Sequence, residues 1–158
     1  AARNAKDASY RLQSLTQAVR NEALQEIAAA LQEHADDIVK ANQADVKEAE
    51  KAGLSKVLIK RLGYDRSKIK ESVDSLRSLI KQEDPIGKLV SRTELDSGLV
   101  LERVTCPIGV IGVIFEARPE ALVQISSLCL KSGNAVILKG GSEAHRTNEI
   151  LTKVIVKV

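Results

Sequence analysis

The sequence predicts an α/β chain in which an N-terminal helical segment and a long β-hairpin precede a βαβα unit. Three observations carry this expectation. The residues before Pro85 contain no proline and repeat their apolar positions with a helical period. A polar turn ending in glycine, Asp96-Ser97-Gly98, then separates two extended stretches. After Pro107, two short apolar runs alternate with helical patterns, the order of a parallel sheet with its crossovers. The segments are 1–84 (helical), 85–107 (hairpin) and 108–158 (a βαβα unit).

Each element has its own signals. Leu24, Ile27, Ala28, Leu31, Ala35 and Ile38 share one helical face, and Ile69, Val73, Leu76 and Ile80 share another. Ala52-Gly53-Leu54-Ser55 closes one helix and offers Ser55 as the next N-cap; Leu62-Gly63-Tyr64-Asp65 does the same with Asp65. Lys88 to Leu95 and Leu99 to Cys106 are the hairpin strands, expected to extend well outside the core. Gly109 to Phe115 is an apolar, β-branched run of the kind buried on both faces in a parallel sheet, with Gly109 and Gly112 allowing close backbone packing. Pro119 to Lys131 supplies the crossover helix, its stripe formed by Ala121, Leu122, Ile125, Leu128 and Cys129, and Ser132-Gly133-Asn134 stops it. Ala135 to Leu138 is a second buried strand, and Ser142 to Val158 the closing helix.

Composition narrows the function. At 158 residues with 44% hydrophobic and 28% charged side chains, the chain has the makeup of a globular domain. The 24 Lys+Arg and 21 Asp+Glu are evenly divided along it, so no basic face is announced. Tyr10, Tyr64 and Phe115 are the only aromatics, too few for base-stacking platforms, which disfavours nucleic acid as a partner. No apolar run approaches the ~18 residues a membrane span needs, and a cytoplasmic address is the default expectation. Cys106 and Cys129 do not make a disulfide framework and lack metal-ligand spacing with His34 and His145, so no metal is expected. Absence of methionine and a start at Ala1 suggest a processed or partial chain.

In open α/β sheets, ligands bind outside the carboxyl ends of parallel strands. Here those ends lead into Glu116-Ala117-Arg118-Pro119 and Lys139-Gly140-Gly141-Ser142-Glu143. In the second loop, two glycines let backbone N–H groups approach an anion, and Lys139 adds a point charge, so a phosphate or ribose is the natural guest. A tight turn with Ser142 as helix N-cap and Glu143 complementing the helix dipole accounts for the same residues. Arg118, held next to Pro119, suits a carboxylate or phosphate of a substrate; its alternative is an ion pair with Glu116 or Glu120. Cys129 reads as a buried inert thiol, Cys106 as an exposed one without an activating partner, and neither as a nucleophile. His34 reads as a helix-surface residue and His145 as a first-turn residue of the last helix.

The run Cys106-Pro107-Ile108-Gly109-Val110-Ile111-Gly112-Val113-Ile114-Phe115-Glu116-Ala117-Arg118-Pro119-Glu120, with Leu130-Lys131-Ser132-Gly133-Asn134-Ala135-Val136-Ile137-Leu138-Lys139-Gly140-Gly141-Ser142-Glu143-Ala144, closely resembles the gamma-glutamyl phosphate reductase (glutamate-5-semialdehyde dehydrogenase) family of the aldehyde dehydrogenase superfamily. The N-terminal helices and the Asp96-Ser97-Gly98-Leu99 turn resemble the family's opening portion. The resemblance implies a Rossmann-like, aldehyde-dehydrogenase-like cofactor-binding domain, and NADPH-dependent reduction of L-glutamyl 5-phosphate to glutamate 5-semialdehyde in proline biosynthesis. It also implies that Lys139 meets the adenosine ribose or its 2′-phosphate, with Gly140, Gly141, Ser142 and Glu143 alongside. Glu116, Arg118 and Pro119 would form the loop facing the nicotinamide side or the acyl phosphate. The family's nucleophilic cysteine belongs to a later catalytic domain and matches neither Cys106 nor Cys129, so the chain is expected to be inactive alone. A homo-oligomer and an association with glutamate 5-kinase are further expectations. The alternative is a stand-alone nucleotide- or anion-binding or assembly module that pairs with a full-length reductase.

Overall fold

A computed structural model describes residues 2–158. The helical segment comprises α1 (Ala2–Ser14), α2 (Gln17–Glu33), α3 (Ala35–Lys51), α4 (Lys56–Leu62) and α5 (Arg66–Lys81). The hairpin is β1 (Leu89–Asp96) and β2 (Leu99–Val104); the βαβα unit is β3 (Val110–Ile114), α6 (Pro119–Lys131), β4 (Ala135–Lys139) and α7 (His145–Val156), with a 3₁₀ turn (Ser142–Ala144) before α7.

The helix boundaries are made by the side chains that announce them. The Leu58 N–H donates to Ser55 Oγ (3.3 Å) and the Lys68 N–H to Asp65 Oδ1 (3.0 Å), so both residues cap as the sequence predicts. Gly53 takes a left-handed conformation (φ +73°) that ends α3, where the Leu54 N–H returns to the Ala49 carbonyl. The period running from Leu24 to Ile38 is interrupted at His34, which joins α2 to α3 instead of lying on a helix surface; its N–H donates to the Ala30 carbonyl and its carbonyl accepts from Ile38.

The larger of two hydrophobic clusters joins the helical segment to the βαβα unit. Leu24, Ile27 and Leu31 of α2, Ile38 of α3 and Ile69, Val73 and Leu76 of α5 pack with Leu122 and Val123 of α6 and Leu151 and Val154 of α7. The helical segment thus covers the helices of the βαβα unit. Several polar groups in this interior are paired, whereas Arg20 Nε and Nη1, Glu120 Oε2 and Asn148 Oδ1 are buried without a partner among the described residues. Asn42 donates to the Leu62 carbonyl (2.9 Å) and to Thr147 Oγ1 (3.2 Å), and accepts from the Tyr64 N–H (2.6 Å). Lys131, buried at the end of α6, donates to Asn21 Oδ1 and to the Ile80 and Gln82 carbonyls, capping the end of α5.

The hairpin stands clear of this core, every residue of β1 and β2 being exposed, with Leu89, Val90, Leu95, Leu99, Leu101 and Val104 in solvent. Its base is pinned by Thr105, whose hydroxyl donates to the Pro85 carbonyl (2.7 Å) and accepts from the Lys88 N–H (2.9 Å).

Strands β3 and β4 pair in parallel from Val110↔Ala135 to Ile114↔Lys139. Two expectations are corrected here. Strand β3 is not buried on both faces: its residues are half-buried or exposed, with Ile114 78% exposed, while β4 is buried or half-buried from Ala135 to Leu138. Gly109, just before β3, and Gly112 within it do not serve close packing either. A Cβ at Gly109 or Gly112 would meet nothing within 4 Å; Gly109 is set apart by its φ of +117°.

Candidate functional site

The register of β3 and β4 sets their carboxyl ends side by side, and the Phe115 N–H extends the pairing by donating to the Lys139 carbonyl (3.1 Å). The two loops singled out by sequence therefore leave the sheet as neighbours. They are also bonded to each other: the Ala117 N–H donates to Glu143 Oε1 at 2.5 Å.

In the first loop, Glu116 and Arg118 are exposed, while Ala117 and Pro119 are buried. Pro119 opens α6, where a missing N–H costs no hydrogen bond, so its role is structural. Arg118 makes no ion pair among the described residues: neither Glu116 nor Glu120 reaches it, and Glu120 faces Lys68 of α5 at 3.7 Å. The ion-pair alternative is thereby set aside, and a guanidinium is left open to solvent at a strand end.

In the second loop, Lys139 and Ser142 are exposed, and neither side chain has a hydrogen-bond partner among the described residues. Ser142 is not a helix cap, because the chain enters a 3₁₀ turn there and α7 begins only at His145. The two glycines are explained by space instead of by left-handed backbone. A Cβ at Gly140 would lie 2.3 Å from Asn148 Nδ2 and 3.2 Å from Phe115 Cζ; one at Gly141 would lie 2.1 Å from Glu143 Oε1. Glu143 folds back over its own loop, and Asn148 over the preceding peptide.

The start of α7 is capped from a distance. Asp45, buried in α3, accepts from the Thr147 N–H (2.8 Å), from Thr147 Oγ1 (2.7 Å) and from the Arg146 N–H (3.3 Å). The Arg146 side chain adds ion pairs to Asp45 and Glu48. The anion-attracting end of α7 is therefore already filled by a carboxylate, which leaves Lys139, Ser142 and Arg118 as the free donors around the loops. Asp45, Asn42, Asn148 and Phe115 are parts of this site that sequence reading missed, since each acts through a partner remote in the chain.

The thiols lie where the sequence places them: Cys106 is exposed, and Cys129 is buried with burial pushing its thiol up and away from the reactive thiolate. No cluster of metal-ligating side chains occurs among the described residues, and no helix described here is long and apolar enough to cross a membrane.

No family model matches the chain. It is, however, 55% identical over 150 residues, 95% of its length, to the gamma-glutamyl phosphate reductase of Acetivibrio thermocellus. It is 54% identical over 154 residues to that of Pelotomaculum thermopropionicum, and 46% identical over 151 residues to the delta-1-pyrroline-5-carboxylate synthase of Mesembryanthemum crystallinum. The chain spans 35% and 36% of the two reductases and 21% of the synthase. Among solved structures, the gamma-glutamyl phosphate reductases of Saccharomyces cerevisiae and Thermotoga maritima superpose with TM-scores of 0.95 and 0.94 at 39% and 34% identity, over 98% and 99% of this chain and 39% and 38% of theirs. A salicylaldehyde dehydrogenase from Pseudomonas putida shares the fold alone, with a TM-score of 0.76 at 15% identity over 99% of this chain and 30% of its own. Over nearly its whole length, the chain matches the N-terminal part of gamma-glutamyl phosphate reductase in sequence and in fold.

Proposed function

We propose that this chain is the first part of a gamma-glutamyl phosphate reductase and supplies half of its nucleotide site, for the NADPH-dependent conversion of L-glutamyl 5-phosphate to glutamate 5-semialdehyde and phosphate in proline biosynthesis. The observation that carries the proposal is the pair of bonded loops at adjoining parallel strand ends, which leaves Lys139, Ser142 and Arg118 without protein partners among the described residues. An ammonium and a hydroxyl are a fitting donor set for the ribose or 2′-phosphate of an adenosine moiety. The guanidinium of Arg118, with its planar donor fork, fits an acyl phosphate.

When bound, the nicotinamide cofactor supplies the hydride. The residues here bind and orient. Lys139 and Ser142 hold the nucleotide, Gly140 and Gly141 keep the loop free of bulk, Glu143 sets the loop's path, and Glu116, Arg118 and the α6 start at Pro119 form the wall toward the acyl group. Asp45 withholds the α7 N-terminus from phosphate, so the nucleotide's charge is met by side chains. Neither cysteine has the setting of an activated nucleophile, so the isolated chain binds NADPH without turning over substrate. A homo-oligomer joined through the exposed hairpin, association with glutamate 5-kinase and a cytoplasmic address complete the reading.

Calorimetric titration of the chain with NADPH tests it. Lys139→Ala and Ser142→Ala should each weaken binding, Lys139→Ala by about tenfold or more. Equal affinity of wild type and Lys139→Ala would overturn the assignment of the loop.

A further inference from the structure

We infer that Glu143 is a positioning residue that locks the Ala117–Arg118 turn to the nucleotide loop, so that occupancy of one loop favours occupancy of the other. This rests on the functional reading above and adds a coupling between its two halves.

Three separate features converge on one contact. Ala117 has a φ of +45°, the only positive φ outside glycine among the described residues, a conformation that an alanine holds only when its surroundings impose it. Ala117 is buried, so its N–H needs an acceptor within the protein, and it has one in the Glu143 carboxylate at 2.5 Å. Glu143 reaches it by folding over Gly141, where a Cβ would stand 2.1 Å and 2.3 Å from the two carboxylate oxygens. Residues 117, 141 and 143 therefore work as one unit: the glycine makes the recess, the carboxylate fills it, and the strained peptide is held.

Arg118 follows at once, with φ −142° and ψ 82°, as the residue before α6. Its backbone direction depends on the peptide that Glu143 holds, and nothing else among the described residues ties its side chain down. The path of Lys139 to Ser142 depends on where the Glu143 carboxylate lies. A ligand that orders either loop thus favours the same bond and lowers the ordering cost at the other, and the effect is reciprocal by linkage.

The experiment uses the whole chain and two independent arms. Amide hydrogen exchange read by NMR, with no ligand added, reports the lock. Ala117 should exchange roughly tenfold faster in Glu143→Ala and in Gly141→Ala than in wild type, with Glu143→Gln in between, since a neutral carbonyl still accepts. Unchanged Ala117 exchange in Glu143→Ala, or a Gly141→Ala variant that retains full protection, overturns the lock; Glu143→Gln keeps the question open to test where alanine unfolds the loop.

The second arm titrates acetyl phosphate, as a simple acyl phosphate, with and without saturating NADPH, following the Arg118 amide. NADPH should raise acetyl phosphate affinity about fivefold in wild type and leave it unchanged in Glu143→Ala and Gly141→Ala. A wild-type ratio of one, or antagonism from competition for the same cations, refutes the coupling. Wild type that binds no NADPH refutes the functional reading and the coupling with it, while the exchange arm still decides the lock.

Discussion

Replacing Asp45 by alanine removes the cap of a helix that lies a hundred residues further along the chain. Asp45 is 2% exposed and Thr147, the residue it caps, is fully buried. Truncation leaves two Thr147 donors, the N–H and the hydroxyl, without the acceptor they now share at 2.8 and 2.7 Å. A buried donor deprived of its acceptor costs about 1–3 kcal/mol. The hydroxyl can turn, and Arg146 lies in solvent where water replaces the carboxylate, so the loss falls at roughly 3 kcal/mol, with the helix-terminus charge included. Asp45→Asn keeps one acceptor and gives up the charge, which places it near half of that, about 1.5 kcal/mol. Urea unfolding of the chain reads both values as shifts in midpoint at constant slope, and thermal melting should fall by roughly 6–12 °C for the alanine variant. An Asp45→Ala variant within about 0.5 kcal/mol of wild type would refute the argument that this carboxylate satisfies the start of α7, as would an asparagine variant no better than alanine.

Other outcomes follow from the same interior. The Tyr64 hydroxyl donates to Ser72 Oγ at 2.8 Å, and burial pushes its pKa from 10.0 up to about 12. A raised pKa means the folded form keeps its proton while the unfolded form loses it, so this stability is fully present below pH 10 and is lost as pH rises toward 12. The loss amounts to roughly 2–3 kcal/mol, and alkaline titration of unfolding should show a steeper decline in wild type than in Tyr64→Phe. Lys131→Met should lower stability by about 2 kcal/mol in urea unfolding, because the Ile80 and Gln82 carbonyls and Asn21 lose a shared donor. Gly133→Ala should cost about 1–2 kcal/mol for its left-handed backbone alone, with φ at +69° and a Cβ only 2.8 Å from Ile86 Cδ1. A maleimide should label Cys106 in the native chain and reach Cys129 only on unfolding, checked by intact mass.

Signals that act within a few residues were legible in the sequence. Ser55, Asp65 and Pro119 open helices where their chemistry says they should, Gly53 ends one, and the strand register that aligns the two loops follows from a βαβ unit. The break at His34 left no such mark, since neither proline nor glycine interrupts an apolar period that continues into α3. The apolar run of β3 suggested burial on both faces because composition reports a preference for burial, while the number of layers around a strand is set by the rest of the fold. At the site, the loop positions were readable but their internal bonding was not. Glycines at 140 and 141 fit an incoming anion and fit an overhanging side chain equally well, and only the folded chain brings Asn148 and Glu143 over them. Asp45 looked like one more charge on a solvated helix; its burial depends on a partner 102 residues away.

The core shared by the N-terminal helices and α7 also governs how the chain acquires its structure. Leu24 and Ile27 emerge long before Leu151 and Val154, the residues that help enclose them. During synthesis the early helices therefore display an apolar stripe with no complete partner until α7 is made, and closure must wait for contacts of high sequence separation. The interval before α7 arrives is when the helical segment most needs protection from other hydrophobic surfaces.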